Sequence, residues 1–157
     1  MTHTLIAATD FSAPARHALE RAAQLAQLQP DARLTLAHVV SASAIDKLRR
    51  LLPGEAAGLE AGLLAQAEKN LAELATNLAA HHSSPIETVL VQGSALTALA
   101  DLAESRQADL LVMGARGAHF VRELLLGSTT ERVLRKSRRP VLAVKQRPQA
   151  PYRRILA

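Results

Sequence analysis

Residues 109–129 read DLLVMGARGAHFVRELLLGST. The first five have the largely apolar composition of a β-strand that is buried on both faces. Three glycines follow, and the residues from Ser128 to about Arg138 show the spacing of a helix. The stretch therefore predicts a central strand, a glycine-rich turn and a helix in direct succession.

The glycines at positions 114, 117 and 127, with Ser128 after the last, form the pattern G-x2-G-x9-G-S. Glycine lets a backbone approach a ligand closely, and Gly117 can contribute to an anion-binding nest. A helix N-terminus presents unpaired amides and the positive end of a dipole, which together suit a phosphate group. The Ser128 hydroxyl can add a hydrogen bond or, with a nucleotide present, help to hold magnesium. The spacing matches neither a P-loop nor the dinucleotide fingerprint G-x-G-x-x-G, so a different phosphate turn is predicted.

The whole chain alternates between strand and helix patterns. Strands are predicted at residues 4–9, 34–40, 86–92, 109–113 and 141–145, and helices at about 12–29, 59–78, 94–103 and 128–138. Ser12 and Ser94 are the expected N-caps of two of these helices. Residues 41–58 contain several Ser, Pro and Gly residues and are expected to form an irregular connection with at most one helical turn.

Helices between strands indicate crossover connections and a parallel sheet covered on both faces, which is a three-layer α/β/α sandwich. Residues 5–8 of the first strand and 110–113 of the fourth are uniformly apolar, which places these two strands at the centre, whereas the second and third strands alternate with polar residues. This predicts five parallel strands in the order 3-2-1-4-5. Ligands of such sheets bind where the strand order reverses, which places Asp10 beside Gly114 at the predicted site. Asp10 is also a candidate cap for the helix near Ala13, and the two roles are compatible.

Composition excludes several classes of protein. The chain has 157 residues, no cysteine, 48% hydrophobic residues and a net charge of +5, which fits one globular domain over residues 1–146 without disulfides or Cys-ligated metal. No signal peptide or membrane-spanning run is recognised, so a cytoplasmic protein without membrane contact is expected. Aromatic residues make up only 2%, which argues against a stacking surface for single-stranded nucleic acid. The basic cluster at 132–139 is interpreted as a solvated helix end, and no metal site is predicted.

The glycine pattern, the Asp after the first strand and the five-strand alternation resemble the universal stress protein family, over residues 3–146. The resemblance implies a Rossmann-like fold related to the adenine nucleotide alpha hydrolases. Within the family, this glycine pattern marks the ATP-binding branch. The implied cofactor is therefore ATP, with or without Mg.

The resemblance also implies a role for each matched residue. Asp10 would hold the ribose or nearby polar atoms of the nucleotide, and Val39 would offer backbone groups to adenine. Gly114 would lie against the ribose. The residues that would take the phosphates are Gly117, Gly127, Ser128 and, through its amide, Thr129.

Charged side chains in the predicted phosphate loop leave alternatives open. Arg116 and Arg122 would either pair with phosphate oxygens or face water. His119 is interpreted as a solvated loop residue. His38 is interpreted as a packed, hydrogen-bonded histidine rather than a ligand.

The fifth strand would leave an apolar edge, and proteins usually protect such edges. Pairing with a second copy would do so, and the resemblance implies a homodimer through Val141–Val144. The segment 147–157 is expected to be a linker or tail. Because residues 155–157 resemble residues 5–7, this tail could instead begin a truncated second tandem domain.

Three functions remain open at this level. The first is a regulatory stress-response module that binds ATP and acts through nucleotide-dependent conformation and dimerisation. The second is a slow ATP hydrolase or phosphotransferase, which is disfavoured because the phosphate loop lacks a lysine and Glu123 is its only carboxylate. The third is a dimeric scaffold without a nucleotide.

Overall fold

The computed structural model describes residues 3–82, 86–116 and 126–150. Within these ranges the chain forms a parallel sheet with helices on both faces. The elements, in chain order, are β1 (Thr4–Thr9), α1 (Ala13–Gln27), β2 (Arg33–Ser41), α2 (Ala42–Leu51), α3 (Ala56–Ala79), β3 (Ile86–Gly93), α4 (Ala95–Ser105), β4 (Leu110–Gly114), α5 (Ser128–Lys136) and β5 (Val141–Val144).

The strand order is β3-β2-β1-β4-β5 and all pairings are parallel, which confirms the predicted order. In register, Leu5 of β1 lies between Leu34 of β2 and Leu110 of β4. The order reverses between β1 and β4, because α1 leads from β1 towards one edge of the sheet, to β2, and α5 leads from β4 towards the other edge, to β5. The carboxyl ends of these two strands therefore border the same crevice.

Side-chain alternation along the strands builds two separate cores. Leu5 and Ala7 of β1 pack with α1 and α3 on one face. Ile6 and Ala8 point the other way and pack with residues of α4 and α5. Since the period of a strand is two residues, consecutive apolar side chains must serve opposite layers. This confirms the three-layer α/β/α architecture.

The expectation of an irregular connection over residues 41–58 is wrong. Residues 42–51 form helix α2, and the Ser41 hydroxyl caps it by accepting the Ala44 amide at 3.4 Å. Ile45 is buried, and Arg49 bridges to Glu60 of α3 with two hydrogen bonds of 2.9 and 3.0 Å. Ile45, Leu48 and Leu51 recur at helical spacing, but the helix has only ten residues and is bordered by Ser, Pro and Gly residues that are typical of loops.

Two of the predicted helix starts have different outcomes. Ser12 caps α1 as expected, with its hydroxyl accepting the Ala15 amide at 3.3 Å. Ser94 is the N-cap residue of α4, as expected, with an extended backbone, but its side chain makes no capping hydrogen bond. Among the described helices, none is both long enough and apolar enough to cross a membrane.

Candidate functional site

A cleft of about 340 Å³ lies at the carboxyl ends of β1 and β4, where the strand order reverses. Its size is at the lower end of the range for small-molecule sites. Six of the seven predicted site residues line it, namely Asp10, Val39, Gly114, Gly127, Ser128 and Thr129. The seventh, Gly117, lies outside the described residues, as do Arg122 and His119.

One wall of the cleft is the turn from β1 to α1, which is held by local hydrogen bonds. The Thr9 hydroxyl accepts the Phe11 amide at 3.0 Å, and the Asp10 carboxylate accepts the Ser12 amide at 3.0 Å. Phe11 adopts a left-handed φ of 64°, which a bulky residue rarely does. The cap of α1 is Ser12 and not Asp10, and Asp10 is exposed.

His38 at the end of β2 braces this turn. Its Nδ1 donates to the Thr9 carbonyl at 2.7 Å, and its ring packs on Phe11 with the centroids 4.3 Å apart. The interpretation of His38 as a packed, hydrogen-bonded histidine is confirmed. Because His38 also pairs with Thr9 in the sheet register, the edge of the cleft that carries Val39 is joined firmly to the turn that carries Asp10.

The opposite wall is the N-terminus of α5. Gly127 is its N-cap, with an extended backbone at φ −64° and ψ 146°, and no side chain caps the helix within the described ranges. The amides of Ser128 and Thr129 belong to the first turn, where a helix has no internal partners for them. Both residues are exposed to the cleft. Open amides and the positive dipole end thus meet in one place, which favours an anion.

Two hydrogen bonds fasten this helix end to β4. The Gly127 amide donates to the Ala115 carbonyl at 2.7 Å, and the Thr130 hydroxyl donates to the Gly114 carbonyl at 2.8 Å. Thr130 is only 3% exposed. Sequence reasoning missed Thr130, because nothing in the pattern distinguishes it from its neighbour Thr129.

Packing within the protein favours glycine at position 114. A Cβ built at this position would lie 3.0 Å from the Arg116 carbonyl oxygen, 3.2 Å from the Pro14 carbonyl oxygen and 3.3 Å from the Ala15 amide nitrogen. All three are backbone atoms, so they cannot rotate away as a side chain would. The end of β4 therefore lies close to the first turn of α1, and an added side chain would require a backbone shift of a few tenths of an ångström, whether or not a ligand is bound.

Arg116 places a cationic group in the cleft. The residue is half-buried, and its buried Nε has no hydrogen-bond partner among the described residues. A buried donor without a partner is costly, and an anion in the cleft would satisfy it. No group of three or more His, Asp or Glu side chains in the described ranges could hold a metal ion.

Comparison with known proteins gives a consistent family. The universal stress protein family matches residues 1–145. Universal stress protein MJ0577 of Methanocaldococcus jannaschii is 30% identical over 151 residues, which cover 88% of this chain and 92% of that protein. Universal stress protein Sll1654 of Synechocystis is 31% identical over 144 residues, covering 92% and 86% respectively.

Solved structures show the same architecture. The structure of MJ0577 superposes with a TM-score of 0.79 at 27% identity, over 95% of this chain and 99% of that one. A universal stress protein solved in complex with cAMP gives a TM-score of 0.67 at 30% identity, over 92% and 97%. The sequence match, the Rossmann-like sheet and the glycine pattern agree, and the chain belongs to the universal stress protein family.

Proposed function

We propose that this chain is a regulatory module that binds an adenine nucleotide, with ATP as its ligand. The observation that carries the proposal is the N-terminus of α5, which has no side-chain cap from the described part of the chain and opens into a cleft at the reversal of strand order. A helix start that has a Ser, Thr or Asp cap uses one of its free amides internally. Here the cap is a glycine, so those amides stay available for an external anion.

The two ends of the cleft suit the two parts of a nucleotide. Phosphate oxygens would accept from the amides of Ser128 and Thr129 and from the Arg116 guanidinium, with Gly117 and Gly127 allowing close approach. Asp10 would accept from ribose hydroxyls. Backbone groups of Val39 would face adenine, and the apolar side chains that suit the faces of a base are Ala37, Leu99 and Met113.

A second candidate ligand is cAMP, because a structural neighbour at 30% identity was solved in complex with it. Both ligands carry adenine and ribose, so the adenosine end of the cleft does not separate them. The phosphate end does, since ATP offers three phosphate groups to the α5 amides and Arg116, whereas cAMP offers one. We place ATP first because this end combines a helix dipole with a guanidinium nitrogen that has no hydrogen-bond partner among the described residues.

We propose binding rather than steady turnover. Phosphoryl transfer depends on charge stabilisation and on a positioned nucleophile. Among the described residues that line the cleft, Asp10 is the only carboxylate and lysine is absent. When magnesium accompanies the nucleotide, the Ser128 hydroxyl is the group that would help to hold it, together with the nucleotide's own phosphates.

The proposal includes a cytoplasmic homodimer formed through β5. Within the described part of the chain, β5 pairs with β4 alone, so its other edge is open to a second copy. Residues 141–143 are half-buried rather than exposed. Light scattering on the full chain tests this directly: the wild-type chain should have the mass of a dimer, and a monomeric mass would refute the dimer.

Calorimetric titration of the nucleotide-free full chain tests the ligand. ATP should bind more tightly than cAMP, and GTP should bind more weakly than either. Arg116→Gln should weaken ATP binding by about tenfold, the loss expected for one charged hydrogen bond. Arg106→Gln is the matched control, because Arg106 pairs with Glu87 on the surface away from the cleft. If no adenine nucleotide binds, the proposed function is refuted and the hypothesis of a dimeric scaffold remains. Release of ADP at a steady rate would favour the hypothesis of an ATP hydrolase.

A further inference from the structure

Thr130 of α5 has an unusual hydrogen bond for a residue in the first turn of a helix. Its hydroxyl reaches out of its own helix to the Gly114 carbonyl, sixteen residues earlier in the chain, at 2.8 Å. Threonine hydroxyls near helix starts more often bond to the local backbone. The side chain is also 3% exposed, so this hydrogen bond is shielded from water.

The acceptor, Gly114, is a rigid point of the structure. It pairs with Val144 in the sheet register, and a Cβ built on it would lie only 3.2 Å from the Pro14 carbonyl oxygen and 3.3 Å from the Ala15 amide nitrogen of α1. The next residue, Ala115, donates to the Val144 carbonyl and accepts from the Gly127 amide. The Thr130 hydrogen bond therefore joins the start of α5 to Gly114, the residue that also lies beside the start of α1.

This arrangement performs two tasks that normally conflict. An N-cap side chain would steady the start of α5 but would consume an amide of the first turn. Gly127 leaves those amides open, and Thr130 supplies the steadying contact from a direction that does not touch them. The helix end can thus be held in place and still offer its amides to a ligand.

We propose that Thr130 is the positioning residue of the phosphate end of the cleft, a role that rests on the proposed nucleotide function. It acts through the Ser128 and Thr129 amides, which it holds at a constant distance from the β1–α1 turn. Hydrogen bonds to phosphate depend on direction and distance. Loss of the Thr130 tie should therefore weaken the phosphate contacts and leave the adenosine contacts unchanged.

Thr130→Val removes the hydroxyl at nearly constant shape, and Thr130→Ser keeps it. In the full chain, Thr130→Val should raise the Kd for ATP by about tenfold, the effect expected for one hydrogen bond. The affinity of Thr130→Val for adenosine, measured by NMR titration up to millimolar concentration, should stay within about twofold of the wild-type value. Thr130→Ser should bind ATP as tightly as the wild type does. Thr35→Val is the matched control, because Thr35 is equally buried at 3% but lies outside the cleft lining.

Amide exchange of the ligand-free protein gives a second readout that needs no nucleotide. The Gly127 amide, which bonds to the Ala115 carbonyl, should exchange about tenfold faster in Thr130→Val than in wild type. The Leu111 amide, bonded to the Pro140 carbonyl away from the cleft, should exchange at the wild-type rate.

The outcomes separate the two proposals. Wild-type protein that binds no adenine nucleotide overturns the proposed function, whereas the Gly127 exchange rate still decides whether Thr130 holds the helix end. Wild-type binding together with unchanged ATP affinity in Thr130→Val overturns the positioning role alone. An equal loss of ATP and adenosine affinity, not restored by Thr130→Ser, also overturns it, because that result indicates general damage to the fold.

Discussion

Gly114→Ala should destabilise the protein even in the absence of any ligand. The added methyl group would lie 3.0–3.3 Å from three backbone atoms of Arg116, Pro14 and Ala15. Overpacking of this kind costs about 1–3 kcal/mol, because the backbone of β4 or α1 must shift. No left-handed φ is involved at this position, so the penalty arises from these contacts and not from the backbone conformation.

Urea and thermal unfolding of the ligand-free chain measure this penalty. In a protein of this size, each kcal/mol lowers Tm by about 2–4 °C, so we expect a decrease of about 2–12 °C. Gly62→Ala is the matched control: Gly62 lies inside α3 with nothing within 4 Å of the added Cβ. That substitution should raise the free energy of unfolding by about 0.5–1 kcal/mol. Gly114→Ala with wild-type stability, beside a stabilised Gly62→Ala, would refute the packing role.

Two further predictions concern stability away from the cleft. Gln107, just after α4, has a left-handed φ of 50°. The Ala108 amide donates to the Ala103 carbonyl at 2.8 Å and the Gln107 amide to the Glu104 carbonyl at 3.0 Å, a pattern typical of a helix end that favours glycine. Gln107→Gly should therefore stabilise the protein by about 1 kcal/mol in urea unfolding, and a destabilised variant would contradict this description of the helix end. The pKa of His82 is lowered, first by burial and then by the neighbouring His81, while Glu20 opposes the shift. The His82 side chain therefore binds a proton more readily in the unfolded chain than in the folded one, so the free energy of unfolding should fall as pH decreases below about 6.5. A His82→Gln variant should show a smaller fall. Equal slopes of unfolding free energy against pH in the two proteins would rule out His82 as the cause of the fall.

The strand order was predictable because burial leaves a clear trace in sequence. Residues 5–8 and 110–113 are apolar at every position, since strands at the centre of the sheet contact a core on each face. Once these two strands are adjacent, the site follows from topology alone. That is why Asp10, Gly114 and Ser128 could be placed at one cleft without any structural information.

Other features depend on contacts that a single sequence does not reveal. Helix α2 has only ten residues, with Ile45 as its buried residue, and the Ser, Pro and Gly residues around it are equally typical of a loop. The tight approach of Gly114 to α1 and the tie from Thr130 to Gly114 join residues that are far apart in the chain. Ser94 shows the converse case, in which a favourable capping residue is present but makes no capping hydrogen bond.

The central claim is that the open amides of α5 bind the phosphates of a nucleotide. Gly127→Asp tests it most directly, because aspartate is a good N-cap and the Gly127 backbone already has the extended conformation that a cap requires. The carboxylate would occupy the amides and repel phosphate, so ATP titration should show a loss of affinity of at least about tenfold while urea unfolding shows a folded protein. Gly127→Asn, which caps without charge, should lose less. A folded Gly127→Asp protein that binds ATP as tightly as wild type would contradict the claim.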